Sequence, residues 1–304
     1  MKHKAVIVCG PTAGGKTGFA HEFAKKHNGE VVNADSMQIY KQIPIITASP
    51  SNKLKTEINY HLYNFLSVDT DFSAVKYVKN ASNTIQTIAK GGKLPIITGG
   101  TGLYIDMLTN GYHIIPEIRT EIRYEARNQL NLHGNEHISC ILQKLDPQII
   151  NHINIADKQR LLRAYEIFLQ TGKSILDFYN EKKYNPLPDF EFQIYLLMPS
   201  RDFLYQMCNK RFSYLFSAGA LEEIRSLKKD YPNLQTTASK ALGIEQIIDY
   251  LNGKIDKETV IASASMQTRR YAKRQCTWFK NQLTRKITIH FNNQEEYLNG
   301  IQKL

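Results

Sequence analysis

Residues 4–17 read Lys4-Ala5-Val6-Ile7-Val8-Cys9-Gly10-Pro11-Thr12-Ala13-Gly14-Gly15-Lys16-Thr17, and the fold turns on this stretch. The apolar run 4–9 predicts a short strand. Gly10 to Thr17 then fits G-x-x-x-x-G-K-[ST], and Lys16 to His27 places Phe19, Ala20, Phe23 and Ala24 at helical spacing before Gly29. Strand, glycine-rich turn and helix together form a phosphate loop. Its glycines allow successive backbone N–H groups to converge on phosphate oxygens, and the helix N-terminus adds about half a positive charge. Lys16 supplies a full charge, and Thr17 offers its hydroxyl to Mg²⁺. The candidate diphosphate-binding residues are therefore Gly10, Pro11, Thr12, Ala13, Gly14, Gly15, Lys16 and Thr17. Such a loop grips any diphosphate, whether or not a nucleoside carries it.

Working outward, residues 30–34 (EVVNA), 94–98 (LPIIT), 192–198 (FQIYLLM) and 286–291 (KITIHF) predict further strands, and the second of these runs into the turn Gly99 to Gly102. Strands alternating with helices imply an α/β fold, a P-loop NTPase-like parallel sheet flanked by helices. Between residues 113 and 190 strand signals fade and helical patterns such as Leu161, Leu162, Tyr165 and Phe168 take over, with Pro186 and Pro188 breaking the chain at the exit. The expected organisation is a first core segment (1–112), a helical insertion domain (113–191) and a second core segment (192–304) that ends in a basic helix near 259–283.

The 304 residues are 42% hydrophobic and 22% charged, which excludes fibrous and wholly disordered classes. The net charge of +11 is uneven: +5 over 1–110, −1 over 111–200 and +7 over 201–304. Basic ends and a neutral middle suggest a polyanionic partner. Cys9, Cys140, Cys208 and Cys276 lie far apart and offer no zinc spacing. The apolar start is too short for a signal-peptide core, and no stretch approaches the roughly eighteen apolar residues of a membrane span, so a cytoplasmic protein with no membrane partner is expected.

The carboxylate near the loop decides what the diphosphate is for. A P-loop kinase ends a second strand in an Asp for Mg²⁺, yet LPIIT ends without one. Asp35, after the strand 30–34, is the nearest candidate. It would bind a metal, take a proton from a nucleophile, or cap the following turn with Ser36.

Several segments, GPTAGGKT (10–17), NADSMQIY (33–40), TGGTGLYI (98–105), ADKQRLLRAYEIFLQTGK (156–173), ALGIEQIIDYLNG (241–253) and AKRQCTWF (272–279), together resemble the bacterial tRNA dimethylallyltransferase (tRNA isopentenyltransferase) family. Their order covers nearly the whole chain. The resemblance implies transfer of a dimethylallyl group, with Mg²⁺, from dimethylallyl diphosphate to N6 of the adenine adjacent on the 3′ side of the anticodon in tRNA. It makes Lys16, Asp35, Thr101 and Arg211 the catalytic candidates. Asp35 is then the base, Thr101 meets the substrate tRNA and Arg211 lies on the diphosphate. Without the resemblance, Thr101 reads as a turn hydroxyl and Arg211 as a solvated helix residue.

The implied partner is the tRNA anticodon arm. An adenine in a structured loop must be extruded to react, so shape and phosphate contacts should carry the binding. The family pattern assigns these contacts to Asp35, Ser36, Met37, Gln38, Thr101, Gln159, Arg160 and Arg163. Arg123 is a candidate too, with Arg119 or Arg127 as substitutes one turn away. Residues 269–286 hold seven Lys and Arg and no acid, which adds Arg270, Lys273 and Arg274, with Trp278 and Phe279 interleaved. A solvated helix face with its aromatics in the core is the alternative.

The sequence departs from the family pattern at Met37, where Arg is usual, at Ser49, where Lys is usual, and at Ile244 and Glu245, within a segment that commonly reads Gly-Tyr-Lys-Glu. Each loses a positive charge or a ring at a position expected to face RNA. Two other classes fit parts of the pattern. One is a P-loop kinase or a small-molecule adenine-nucleotide prenyltransferase, in which ATP binding would be functional. The other is a non-catalytic RNA-binding relative. A monomer is expected.

Overall fold

The structure, a computed structural model, describes residues 2–302. Its elements in chain order begin with β1 (His3–Cys9), α1 (Lys16–Lys26), β2 (Gly29–Asn33), α2 (Asn52–Glu57), β3 (Tyr60–His61), α3 (Ala74–Lys90), β4 (Leu94–Gly99) and α4 (Gly102–Asn110). The helices α5 (Thr120–Leu145), α6 (Lys158–Thr171) and α7 (Ile175–Tyr179) follow. The chain closes with β5 (Phe190–Pro199), α8 (Arg201–Leu215), α9 (Leu221–Asp230), α10 (Ile244–Leu251), α11 (Lys257–Gln282), β6 (Lys286–Phe291) and α12 (Gln294–Gln302).

The strands form one parallel sheet in the order β3-β2-β4-β1-β5-β6. The central β1 is covered on both faces, which is why Ala5 to Cys9 are buried without alternation. Val6 and Val8 pack with Phe19, Ala20 and Phe23 of α1. The strands expected from sequence differ from those observed by at most two residues at any end. The edge strand β3 has no counterpart among them: two residues, paired as Val31 with Tyr60 and Val32 with His61, are too short to carry a period.

Parallel register gathers the strand C-termini at one edge. Cys9 lies opposite Gly99 and Leu196, and Asn33 lies opposite Thr98, so the turns after β1, β2 and β4 meet. Gly99 permits that approach, since a Cβ there would lie 2.1 Å from the Ala34 carbonyl carbon. A second core joins Ile39, Tyr40, Ile43 and Ile46 to residues of α8, α9, α10 and α11. It fixes α8 and α11 within this unit.

Two compact units divide the chain. One runs to Thr109 and resumes at Pro186, and the other is Asn110–Asn185. The second unit is helical and packs Ala126, Ile138, Leu142, Leu161, Ala164, Ile167 and Phe178 into its own core. Its base closes where Tyr112 and Tyr184 exchange two backbone hydrogen bonds of 3.0 and 2.8 Å. That pairing, which no side-chain pattern announces, puts the boundaries at 110 and 185 where sequence reading places 113 and 191.

Candidate active site

The loop after β1 prepares an anion site. Gly15, at the N-cap of α1, adopts φ +81° and contributes no capping side chain, so the first amides of α1 stay open to a phosphate. The Lys16 ammonium folds back on the Pro11 carbonyl at 2.7 Å. From the far end of the chain, the Tyr297 hydroxyl donates to the Gly15 carbonyl at 2.7 Å and braces the loop.

A cavity of about 440 Å³ opens over this loop. Lys16, Thr17 and Asp35 line it together with Met207, Lys210, Arg211 and Tyr214 of α8. Arg211 donates from Nη2 to the Thr47 carbonyl at 3.1 Å. Burial lowers the Lys16 pKa to about 8; the Arg211 charge pushes it the same way and Asp35 opposes. An ammonium so placed gains when a diphosphate arrives.

Asp35 follows β2 in a turn built by its neighbours. The Asp35 N–H donates to Asn33 Oδ1 at 2.8 Å, and Asp35 Oδ1 accepts from the Met37 N–H at 2.9 Å. The turn-capping role and the cavity position thus belong to one carboxylate. Thr101 joins from the turn after β4: its Oγ1 accepts from the Ser36 N–H at 2.9 Å, and its own N–H donates to the Ala34 carbonyl at 3.1 Å. Gln38 lines the cavity and ties down the Thr47 and Ala48 carbonyls, both at 3.0 Å. The sequence-derived candidates Gly10 to Thr17, Asp35, Ser36, Met37, Gln38, Thr101 and Arg211 are therefore gathered at one sheet edge.

The remaining candidates fall elsewhere. Arg270, Lys273 and Arg274 are exposed on α11, where Arg274 stacks on Tyr271 at 5.6 Å. The basic run is not all surface charge. Lys286 caps the end of α11 by donating to the carbonyls of Phe279, Lys280 and Leu283 at 2.7–2.9 Å. Phe279 is buried, and the Trp278 ring lies against Gly102, so both aromatics serve packing. In the helical unit Gln159 and Arg160 are exposed, while Arg123 and Arg163 are half-buried. Arg160 pairs with Asp157 at 3.3 Å and Arg163 with Glu166 at 3.4 Å.

Of the departures from the family pattern, Ile244 does not sit as the sequence suggests. Ile244 is 3% exposed and belongs to the second core, and Met37 packs against that core. Ile244 is therefore not an open RNA-facing position, because its buried side chain completes the packing of α10, whereas Met37 stays half-buried beside Asp35. Glu245 is exposed, and Ser49 accepts a hydrogen bond from Asn64 at 3.1 Å.

Sequence reading misses Gln275, Tyr297 and Lys210. Gln275 is legible in principle: Ala264, Thr268, Ala272, Gln275 and Phe279 form the buried stripe of α11, and a glutamine on such a stripe needs partners. Tyr297 and Lys210 have no local signal.

The residues fit a Mg²⁺ held mainly by its substrate. Thr17 and Asp35 line the cavity as oxygen donors, and among the described residues no group of three His, Cys, Asp or Glu converges. One or two protein oxygens plus substrate phosphates is the usual Mg²⁺ arrangement at phosphate sites.

Comparison with known proteins sets this geometry in a lineage. Over 303 residues the chain is 50% identical to the tRNA dimethylallyltransferase of Rickettsia massiliae (strain Mtu5), covering 99% of this chain and 84% of that protein. The crystal structure of the full-length tRNA isopentenylpyrophosphate transferase from Bacillus halodurans superposes with a TM-score of 0.70 at 28% identity, covering 99% and 95% of the two chains. A eukaryotic dimethylallyltransferase acting on tRNA superposes with a TM-score of 0.83 at 27% identity, covering 99% and 77%. The IPP transferase family matches residues 38–282, a span that takes in Thr101, Arg211 and Gln275. With a phosphate loop ahead of that match and a relative of 50% identity along nearly its whole length, the chain belongs to the IPP transferase family.

Proposed function

We propose that this protein is a tRNA dimethylallyltransferase, moving a dimethylallyl group from dimethylallyl diphosphate to N6 of the adenine adjacent on the 3′ side of the anticodon and so forming N6-isopentenyladenosine. The observation that carries this reading is one cavity lined by the phosphate loop, two cations on separate helices and a carboxylate: Lys16, Arg211 and Asp35. The N6 lone pair attacks the first carbon of the prenyl chain, the carbon–oxygen bond breaks, and the electron pair leaves on the diphosphate. Loop amides, Lys16 and Arg211 stabilise the charge that develops there. Asp35 accepts the N6 proton, and Thr101 holds the turn beside it. Thr17 and the substrate phosphates would hold a Mg²⁺, which when bound would supply further charge neutralisation at the leaving group.

Met207 and Tyr214 offer apolar surface to a five-carbon chain. Exposed Arg270, Lys273 and Arg274 take phosphates of the anticodon arm, with Gln159, Arg160, Arg163 and Arg123 as the contacts from the helical unit. On this reading the protein acts in the cytoplasm, where it would meet its tRNA substrate.

Mass analysis of nucleosides from tRNA incubated with the protein and dimethylallyl diphosphate tests the proposal, with prenylated adenine appearing in step with loss of the diphosphate. Stoichiometric phosphate release from ATP with no mass gain on tRNA would instead favour a kinase.

A further inference from the structure

The loop that would hold the leaving group and the loop that would hold the acceptor are joined by one side chain. Gln275 sits on the buried stripe of α11 at 6% exposure. Its Oε1 accepts from the Thr12 N–H of the phosphate loop at 2.7 Å, and its Nε2 donates to the Gly100 carbonyl at 2.8 Å. One partner is a pure donor and the other a pure acceptor, so the amide satisfies both only in this orientation, and an ionised carboxylate could not. The fit is close, since a Cβ on Gly100 would come 2.3 Å from Gln275 Nε2. Gly100 precedes Thr101, whose hydroxyl holds Ser36 next to Asp35. A rigid path therefore runs from Thr12 through Gln275, Gly100 and Thr101 to the turn that carries Asp35.

We infer that Gln275 is a positioning residue for prenyl transfer, one buried amide that sets the separation between the diphosphate loop and the Thr101–Asp35 acceptor turn. This rests on the function proposed above. The N6 lone pair must reach the first prenyl carbon in line as the carbon–oxygen bond breaks, while the N6 proton passes to Asp35. Both events need the two loops in register. A misplacement of about 1 Å in such a geometry costs about 10²-fold in rate, even when each substrate still binds its own half of the site. Thr12 contributes to this register with its N–H committed to Gln275 rather than to phosphate. Loss of the clamp should therefore show in turnover before it shows in diphosphate affinity.

Gln275→Met keeps length and removes both hydrogen bonds. Gln275→Glu keeps the acceptor for Thr12 but sets a carboxylate oxygen against the Gly100 carbonyl, and protonation of the acid restores a donor there. We expect kcat to fall roughly 10- to 100-fold in both variants at neutral pH, with KM for dimethylallyl diphosphate and for tRNA held within about threefold. The ratio of Gln275→Glu to wild-type kcat should climb as pH falls, since burial raises the pKa of the new carboxyl group. Wild-type kcat in folded variants, a loss confined to KM, or a pH-independent ratio would each overturn the role. If Gln275→Met does not fold, the pH ratio of Gln275→Glu decides alone. Absence of transfer by the wild-type protein overturns both proposals, whereas wild-type transfer matched by both variants overturns this one only.

Discussion

Lys16 and Arg211 face one cavity with both cationic heads turned onto main-chain carbonyls, Lys16 on Pro11 at 2.7 Å and Arg211 on Thr47 at 3.1 Å. These are neutral acceptors. A diphosphate offers both groups charge-assisted bonds, roughly twice as strong, so its arrival should draw them off their carbonyls.

Lys16→Ala and Asp35→Asn should therefore fail differently, because one residue serves the leaving group and the other the nucleophile. Lys16→Ala should weaken dimethylallyl diphosphate binding and turnover together. Asp35→Asn preserves shape but loses the proton acceptor, so both substrates should bind while transfer slows roughly 10²-fold or more. Single-turnover kinetics separates the two, and near-normal transfer by Asp35→Asn would remove it from the base role.

The pH dependence follows from Lys16, whose pKa is lowered by burial to about 8 from 10.5. The folded site thus holds the ammonium less readily than the unfolded chain does. Holding the ammonium opposes folding below pH 8, and this penalty is relieved as pH rises from about 8 towards 10.5. Diphosphate reverses this effect, so binding above pH 8 should take up a proton and weaken with rising pH, by up to about tenfold per unit. Calorimetry near pH 9 in buffers of different ionisation enthalpy measures that uptake. Lys16→Met should abolish it, and equal uptake by the variant would assign the proton elsewhere.

Replacing Arg270 and Arg274 together by Ala should weaken tRNA binding and leave the affinity for dimethylallyl diphosphate unchanged. Both side chains are exposed. If each meets a phosphate, the slope of log affinity against log salt should flatten by up to about 0.9 per contact on duplex-like RNA. An unchanged slope would make them ordinary solvated residues.

Gly99→Ala drives a Cβ to 2.1 Å from the Ala34 carbonyl carbon, and main chain on a central strand has little room to yield. Overpacking of this kind costs about 1–3 kcal/mol, and here we expect the upper end, read as a lower urea midpoint. Transfer should fall as well, because Ala34 and Thr101 are bonded across the same contact. A midpoint equal to that of the wild type would show that the two turns separate freely.

Thr17→Val keeps the shape of the first turn of α1 and removes its hydroxyl. Transfer should then need a higher Mg²⁺ concentration for half-maximal rate, while chelation of the metal slows the wild-type protein. An unshifted Mg²⁺ dependence would take Thr17 out of the metal site.

The amino-acid sequence by itself determined β1, the phosphate loop and α1, because the apolar run, the glycines and the 3.6-residue period all lie within about twenty consecutive positions. It also marked Asp35 and, with the spaced motifs, Thr101 and Arg211. It could not decide which charges and polar groups reach the cavity, because that depends on chain partners far apart in number. Lys286 and Arg270 look alike in a basic run, yet Lys286 is spent on three carbonyls at the end of α11 and Arg270 stays exposed. Ile244 reads as open to RNA in the sequence, and the packing of α10 buries it. Gln275 became part of the site only when parallel register brought Thr12 and Gly100 within reach of one amide, since hydrogen bonds across 263 and 175 residues leave no local period to read.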